Sequence, residues 1–239
     1  MVECLHDPGT IAALKRAAAD AAIARVEDGM LVGLGTGTTV SFLIAGLGRR
    51  VTAGLRIEIV ATSHATVRQA AAAGLPIRPF NSLASVDLAI DGADELDVQL
   101  RAIKGHGGAM LREKIVAAAA AHMVAIIDAS KEVVTLGRGV LPVETLPFAA
   151  TFVAHRVEAL GASVSMRMAG NVPYRTDQNN IVLDCGFGAL ADPEGLASAL
   201  SAIPGVLGHG LFLDEIDAAF VGRRDGVAHL IRAAQGVIL

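Results

Sequence analysis

The feature that most constrains this chain is a repeated unit. A short apolar run ends in a cluster of small or polar residues, and a helical pattern follows. Residues 30–34 run into Gly35-Thr36-Gly37-Thr38-Thr39 and a helix to about residue 47. Residues 57–61 run into Thr62-Ser63-His64-Ala65-Thr66 and a helix ending near Gly74. Residues 86–90 run into Asp91-Gly92-Ala93-Asp94-Glu95, and residues 123–127 into Asp128-Ala129-Ser130-Lys131. A helix over 11–26, after a turn at Asp7-Pro8-Gly9-Thr10, and a further strand over 77–80 complete this half. Strands that alternate with helices predict an α/β fold, a mostly parallel sheet with helices on both faces. In such sheets ligands sit outside the carboxyl ends of the strands, so the loops 35–39, 62–66, 91–95, 104–108 and 128–131 are expected around one site.

The pattern changes after Lys131. Residues 137–147 are irregular, and a helix over 149–160, strands over 163–168 and 181–185 and a helix over 193–202 predict a smaller α+β domain. Strand-like runs at 206–212, 218–221 and 226–239 are expected to rejoin the first sheet. The expected division is therefore 1–135 with 206–239 for the large domain and 136–205 for the small one.

Composition narrows the function. Of 239 residues 53% are hydrophobic and 18% charged, enough apolar material for a sizeable core. Aromatics make up only 3%, Trp is absent and the net charge is −4, so neither a stacking platform nor a basic face for nucleic acid is expected. No run reaches the roughly 18 apolar residues of a membrane span. Glu3, His6 and Asp7 interrupt any signal-peptide pattern, so a soluble cytoplasmic protein is expected. Cys4 and Cys185 form no motif, which fits a reduced protein.

The turn at 33–39 does not match a dinucleotide fingerprint, because Thr38 stands where the third glycine belongs and no acid follows the next strand. A helix N-terminus with three threonines instead suits one phosphate monoester, or is simply a capped tight turn. Asp91, Asp94 and Glu95 crowd three carboxylates after a strand, suited to proton handling or to a solvated turn. The stretch Ile103-Lys104-Gly105-His106-Gly107-Gly108 feeds a helix carrying Glu113 in its second turn, so that a lysine and a carboxylate flank a glycine turn as electrophile and base. No ligand spacing recommends a metal site, and no cofactor is called for.

Taken in order, these motifs resemble the ribose-5-phosphate isomerase type A family over nearly the whole chain. The marks are G-T-G-T-T at 35–39, T-S-x-x-T at 62–66, D-G-A-D-E at 91–95, K-G-H-G-G-A-M-L-R-E-K-I at 104–115, D-A-S-K at 128–131 and L-P-V-E at 141–144. The resemblance implies a Rossmann-like catalytic domain with a small α+β domain, assembled as a homodimer or homotetramer and working without cofactor or metal. It implies an aldose–ketose isomerase interconverting ribose 5-phosphate and ribulose 5-phosphate through an enediolate, in the pentose phosphate pathway. Carried over by position, Thr36, Gly37, Thr38 and Thr39 would hold the phosphate with Lys15 and Lys131 nearby. Asp91, Gly92, Ala93, Asp94, Lys104, Gly105, His106 and Gly107 would line the sugar. Glu113 would be the base, Lys104 the oxyanion stabiliser, and Asp91 with Asp94 would assist ring opening. His106 stands where the family usually has glycine, Met110 where it has leucine, and Asn179 where it has glycine. The alternatives are an isomerase of a related sugar phosphate, suggested by His106, and a non-catalytic sugar-phosphate-binding module.

Overall fold

A computed structural model of the chain describes residues 8–233 and 236–238. Helix α1 (Pro8–Ile23) leads into β1 (Leu31–Leu34), α2 (Thr38–Thr52), β2 (Glu58–Ala61), α3 (His64–Ala72) and β3 (Val86–Asp91). Two short strands, β4 (Glu95–Leu96) and β5 (Ala102–Ile103), precede α4 (Met110–Ala119) and β6 (Ala120–Asp128). Next come β7 (Leu141–Thr145), α5 (Ala150–Glu158), β8 (Ser163–Met166), β9 (Met168–Ala169), β10 (Val172–Pro173) and β11 (Ile181–Gly186). The chain continues through α6 (Pro193–Ser201), β12 (Val206–His209), β13 (Leu211–Phe212), β14 (Ala218–Arg223), β15 (Gly226–Ala233) and β16 (Gly236–Ile238).

The main sheet has the order β16-β15-β14-β6-β3-β1-β2. Strands β2, β1, β3, β6 and β14 run parallel, and β15 and β16 fold back antiparallel. A parallel strand covered on both faces should be apolar throughout, with successive side chains on opposite faces. In β6, Val124 and Ile126 join Ala18 of α1 and Leu43 of α2 in one core, while Met123, Ala125 and Ile127 join Val116 of α4 in the other. The chain leaves β1 for β2 on one side and later returns to place β3 on the other. The switch point between β1 and β3 opens a crevice at their carboxyl ends. Gly35 donates its N–H to Ile90 O at 3.0 Å and holds the two strand ends together there.

A second, antiparallel sheet of order β12-β7-β11-β8 packs α5 and α6 around Val143, Val153, Val157, Leu183 and Leu200. A three-stranded ribbon, β13-β5-β4, joins the two units. Ile103 and Leu211 of this ribbon enter the smaller core, whereas Ala102 and Phe212 enter the larger.

Several expected boundaries move. Pro8–Thr10 is the first turn of α1 rather than a loop, with Asp7 outside the described residues. The segment 77–80 is not a strand: Ile77 makes one isolated bridge to Ile59, and Phe80–Ser82 form a 3-10 turn, because Pro76 and Pro79 interrupt ladder formation. Strand β6 starts at Ala120, directly out of α4. The run expected at 163–168 breaks at Arg167 into β8 and β9. Strand β12, expected in the main sheet, pairs with β7 of the smaller one, while β14 and β15 do join the main sheet. Asn179 has φ 63°, the left-handed conformation that asparagine tolerates and glycine commonly fills. Cys185 is free and fully buried, and burial pushes its thiol up to about 12; Cys4 lies outside the described residues.

Candidate active site

The sheet end at the switch point carries a cleft of ≈ 130 Å³. One end is built by the turn into α2. Gly37 precedes the helix with φ 134°, a conformation that favours glycine, and no side chain caps the helix. The first backbone bond runs from Ser41 N to Gly37 O, so the N–H groups of Thr38, Thr39 and Val40 have no acceptor within the helix. Lys15 reaches across from α1 and donates to Thr38 Oγ1 at 2.8 Å, and Lys131 lines the cleft from the turn after β6. Two cations at an open helix N-terminus make an anion site.

The other end holds buried charge. Lys104, Asp91 and Glu113 are each no more than 5% exposed. Lys104 Nζ lies 2.7 Å from Asp91 Oδ2 and 3.3 Å from Glu113 Oε2, and also donates to Gly92 O. Asp91 Oδ1 accepts from Thr36 N at 3.1 Å and Gly92 N at 2.7 Å. One cation thus serves two carboxylates, and Asp91 holds the better share of the donors. Burial, then the charge of Asp91, pushes Glu113 up to about 8, with Lys104 opposing. Burial also raises Asp91, against Lys104 and the two N–H donors. Burial alone would lower the Lys104 pKa; the charges of Asp91 and Glu113 outweigh it and raise the pKa, so Lys104 is a fixed ammonium. The result is a carboxylate poised to exchange a proton beside a permanent cation.

The loop from Lys104 to Gly108 shapes the wall between these ends. Gly105 (φ 115°) and Gly108 (φ 72°) take left-handed conformations, and Gly108 N closes the turn on Gly105 O at 3.0 Å. Asp94 lies on the same wall and accepts from His106, its Oδ2 from the backbone N–H at 3.0 Å and its Oδ1 facing the ring Nδ1 at 3.2 Å. Burial tends to raise Asp94, but the bonds and charge from His106 leave it below its ordinary value.

Of the residues expected at the site, Lys15, Thr36, Gly37, Thr38, Thr39, Gly92, Ala93, Asp94, Lys104, Gly105, Gly107, Glu113 and Lys131 line this cleft. Asp91 does not; it stands behind Lys104. His106 does not either, and its half-exposed ring turns to Asp94. The 62–66 loop also stays behind the wall. Its hydroxyls gather around Thr36 Oγ1, which lies 2.8 Å from Ser63 Oγ, 3.1 Å from Thr62 Oγ1 and 3.2 Å from Thr66 Oγ1. Thr36 therefore braces the turn with its hydroxyl. Glu95, read with Asp91 and Asp94 as suited to proton handling or to a solvated turn, is buried and accepts from Gly137 N at 2.7 Å and Gly139 N at 2.6 Å.

Sequence reasoning missed Val40 and Ile127 of the cleft wall, and two residues of the smaller unit that grip the loop. Arg167 Nη1 donates to Gly105 O at 2.8 Å and His106 O at 3.1 Å, while Nε is anchored on Asp184 Oδ2 at 3.0 Å. Tyr174 packs against Gly108, where an added methyl carbon would lie 2.2 Å from its hydroxyl. A lone arginine in an apolar strand run was the only local signal for the first. Among the described residues no group of three or more His, Cys, Asp or Glu side chains is arranged to hold a metal ion, and no helix is long and apolar enough to cross a membrane.

An anion dock at one end of a small cleft and a proton-exchanging carboxylate beside a fixed cation at the other are what moving a hydrogen along a phosphorylated sugar requires. Fold and site together define an α/β sugar-phosphate isomerase. Residues 58–226 match the family model described as ribose 5-phosphate isomerase A (phosphoriboisomerase A). The chain is 51% identical to the ribose-5-phosphate isomerase A of Sphingopyxis alaskensis, over 89% of this chain and 93% of that one. It superposes on a solved D-ribose-5-phosphate isomerase in complex with phospho-erythronic acid with a TM-score of 0.90 at 33% identity, covering 93% of this chain and 99% of that one. The enzyme from Methanocaldococcus jannaschii gives a TM-score of 0.87 at 34% identity, over 92% and 98% of the two chains. The chain belongs to the ribose 5-phosphate isomerase A family, and its activity is the aldose–ketose isomerisation of ribose 5-phosphate, a reaction of the pentose phosphate pathway.

Proposed function

We propose that this cleft interconverts D-ribose 5-phosphate and D-ribulose 5-phosphate through an enediolate, with Glu113 as the proton carrier. The observation that carries the proposal is the buried Glu113 carboxylate 3.3 Å from the Lys104 ammonium, both opening on the cleft. The phosphate docks at the N-terminus of α2 with Lys15, Lys131, Thr38 and Thr39. The sugar then extends past Asp94 to Glu113. Asp94 assists ring opening by taking the C1 hydroxyl proton and passing it to the ring oxygen as the bond from that oxygen to C1 breaks and the C1 carbonyl forms. Asp91, turned away from the cleft, keeps Lys104 charged and aimed.

Glu113 removes the proton from C2 of the open aldose, and negative charge moves onto O1, where Lys104 and loop N–H groups meet it. Glu113 returns the proton to C1, and the O2 hydroxyl proton ends on O1. Substrate and product are isomers and only protons move, so the electron balance closes without a nicotinamide, and Lys104 supplies the electrophile a metal would otherwise provide. Phospho-erythronic acid, bound by the solved relative, joins a phosphate to a planar carboxylate anion much as the enediolate joins a phosphate to a planar anion.

The alternative of a different sugar phosphate rested on a side chain projecting into the sugar site, and the His106 ring faces Asp94 instead. A binding module would have no use for a buried base held near neutrality. An isomerase assay with a panel of pentose and tetrose phosphates, with and without chelator, tests the reading. Turnover of ribose 5-phosphate that survives chelation supports it; loss on chelation removes the metal-free mechanism. The proposal extends to a cytoplasmic homodimer or homotetramer that engages neither nucleic acid nor membrane. Exposed Phe148 and Phe152 on the smaller unit are a candidate subunit contact, and sedimentation reads the stoichiometry.

A further inference from the structure

The loop position between the two left-handed glycines could accept any side chain without backbone strain, yet His106 there makes two contacts with one carboxylate. Its backbone N–H and ring Nδ1 take separate oxygens of Asp94, at 3.0 and 3.2 Å. The peptide that carries this N–H is itself fixed from the far side, because Arg167 holds the carbonyls of Gly105 and His106 and is locked by Asp184. Asp94 lines the cleft, while the imidazole stays outside it. A carboxylate gripped through both oxygens cannot rotate freely about its last bond, so its direction toward the sugar is set by its partner.

We propose that His106 is a positioning residue, which through its ring and its backbone N–H fixes the Asp94 carboxylate toward the sugar. The proposal rests on the reading of Asp94 as the ring-opening group. The charged groups around the imidazole are Asp94, Arg167, Lys131 and, beyond Gly139, Glu95. The Asp94 hydrogen bond raises the His106 pKa above the ordinary 6.5, against burial and against the charges of Arg167 and Lys131. The ring therefore stays protonated further into the neutral range than a free histidine, and the pair is a charge-assisted one.

The test combines three variants of the full chain. His106→Ala keeps the backbone donor and loses the ring; kcat/KM for ribose 5-phosphate is expected to fall roughly tenfold, mainly in kcat, with melting temperature little changed. His106→Gln, which can still donate to Asp94 but does not titrate, recovers most of that loss. NMR titration of the His106 ring reads the contact without catalysis: its pKa lies above 6.5 in the parent protein and falls in Asp94→Asn. His106→Ala within about twofold of the parent, or a ring titration unmoved by Asp94→Asn, overturns the proposal. Absence of turnover in the parent would sink the isomerase reading alone, because the ring titration still decides whether His106 holds Asp94.

Discussion

Lys104 and Glu113 meet 3.3 Å apart in a place almost closed to solvent, and Lys104 has a second carboxylate, Asp91, at 2.7 Å. The pairing is unequal by design of the fold. Asp91 is tied by N–H groups from Thr36 and Gly92 at the switch point, whereas Glu113 stands in the first turn of α4, not the second as expected, and faces the cleft. Charge is therefore fixed on Lys104, Asp91 holds the larger share of the donors, and Glu113 is left to exchange its proton.

Removing the cation should be costly. Lys104→Met leaves two buried carboxylates with no counter-charge, and truncating one partner of a buried ionic network costs about 3–5 kcal/mol. Urea unfolding of Lys104→Met at neutral pH measures it. The double variant Lys104→Met with Asp91→Asn should recover part of the loss, since one of the stranded charges is gone.

The pH dependence follows from the same triad. Glu113 acts as a base only when ionised and titrates at about 8, so kcat/KM should climb about tenfold per pH unit below that value and level off above it. Asp91→Asn removes the like charge and frees Lys104 for Glu113, so this limb moves to lower pH. The stability linkage has the opposite sense. A folded pKa raised from 4.5 to about 8 contributes stability that is complete below 4.5 and lost as pH rises through 8. Glu113→Gln abolishes that loss, and its melting temperature should fall less steeply with pH than the parent's across the window from 4.5 to about 8.

Gly35 is a packing requirement of the triad. A methyl carbon there would lie 1.7 Å from Asp91 Oδ1, so Gly35→Ala must push Asp91 off Lys104. We expect about 1–3 kcal/mol of destabilisation and a fall in kcat. At Gly107 the nearest atom to such a methyl is Thr36 Cγ2 at 3.8 Å, an ordinary contact, and Gly107→Ala should stay within about 0.5 kcal/mol of the parent.

The strand–turn–helix units of the first half were legible because each local pattern also carries its tertiary meaning. An apolar run followed by small residues is both a parallel strand and a site loop, which is why Thr38, Asp94, Lys104 and Lys131, far apart in the chain, line one cleft, whereas Lys15 on α1 came only with the family resemblance. Which side of the wall a residue faces was not legible. Asp91 and the 62–66 hydroxyls share the polarity of the cleft-lining groups, but register and turn geometry send them behind it. Contacts across the two units were equally hidden: Arg167 grips residues about sixty positions away, and nothing in its neighbourhood encodes that distance. The residues at 77–80 misled because a short apolar run reads as a strand, although between Pro76 and Pro79 its backbone makes a single bridge and then turns.

The central claim is that Glu113 carries a proton between C1 and C2 beside Lys104. It is tested most directly by converting ribose 5-phosphate in deuterium oxide with the parent protein and with Glu113→Gln, following the carbon-bound hydrogens by NMR. The account predicts ribulose 5-phosphate carrying solvent deuterium at C1 from the parent, and a loss of turnover of roughly 10²-fold or more in the variant. Product formed at an undiminished rate by Glu113→Gln, with the C2 hydrogen transferred intact and no solvent label, would contradict it.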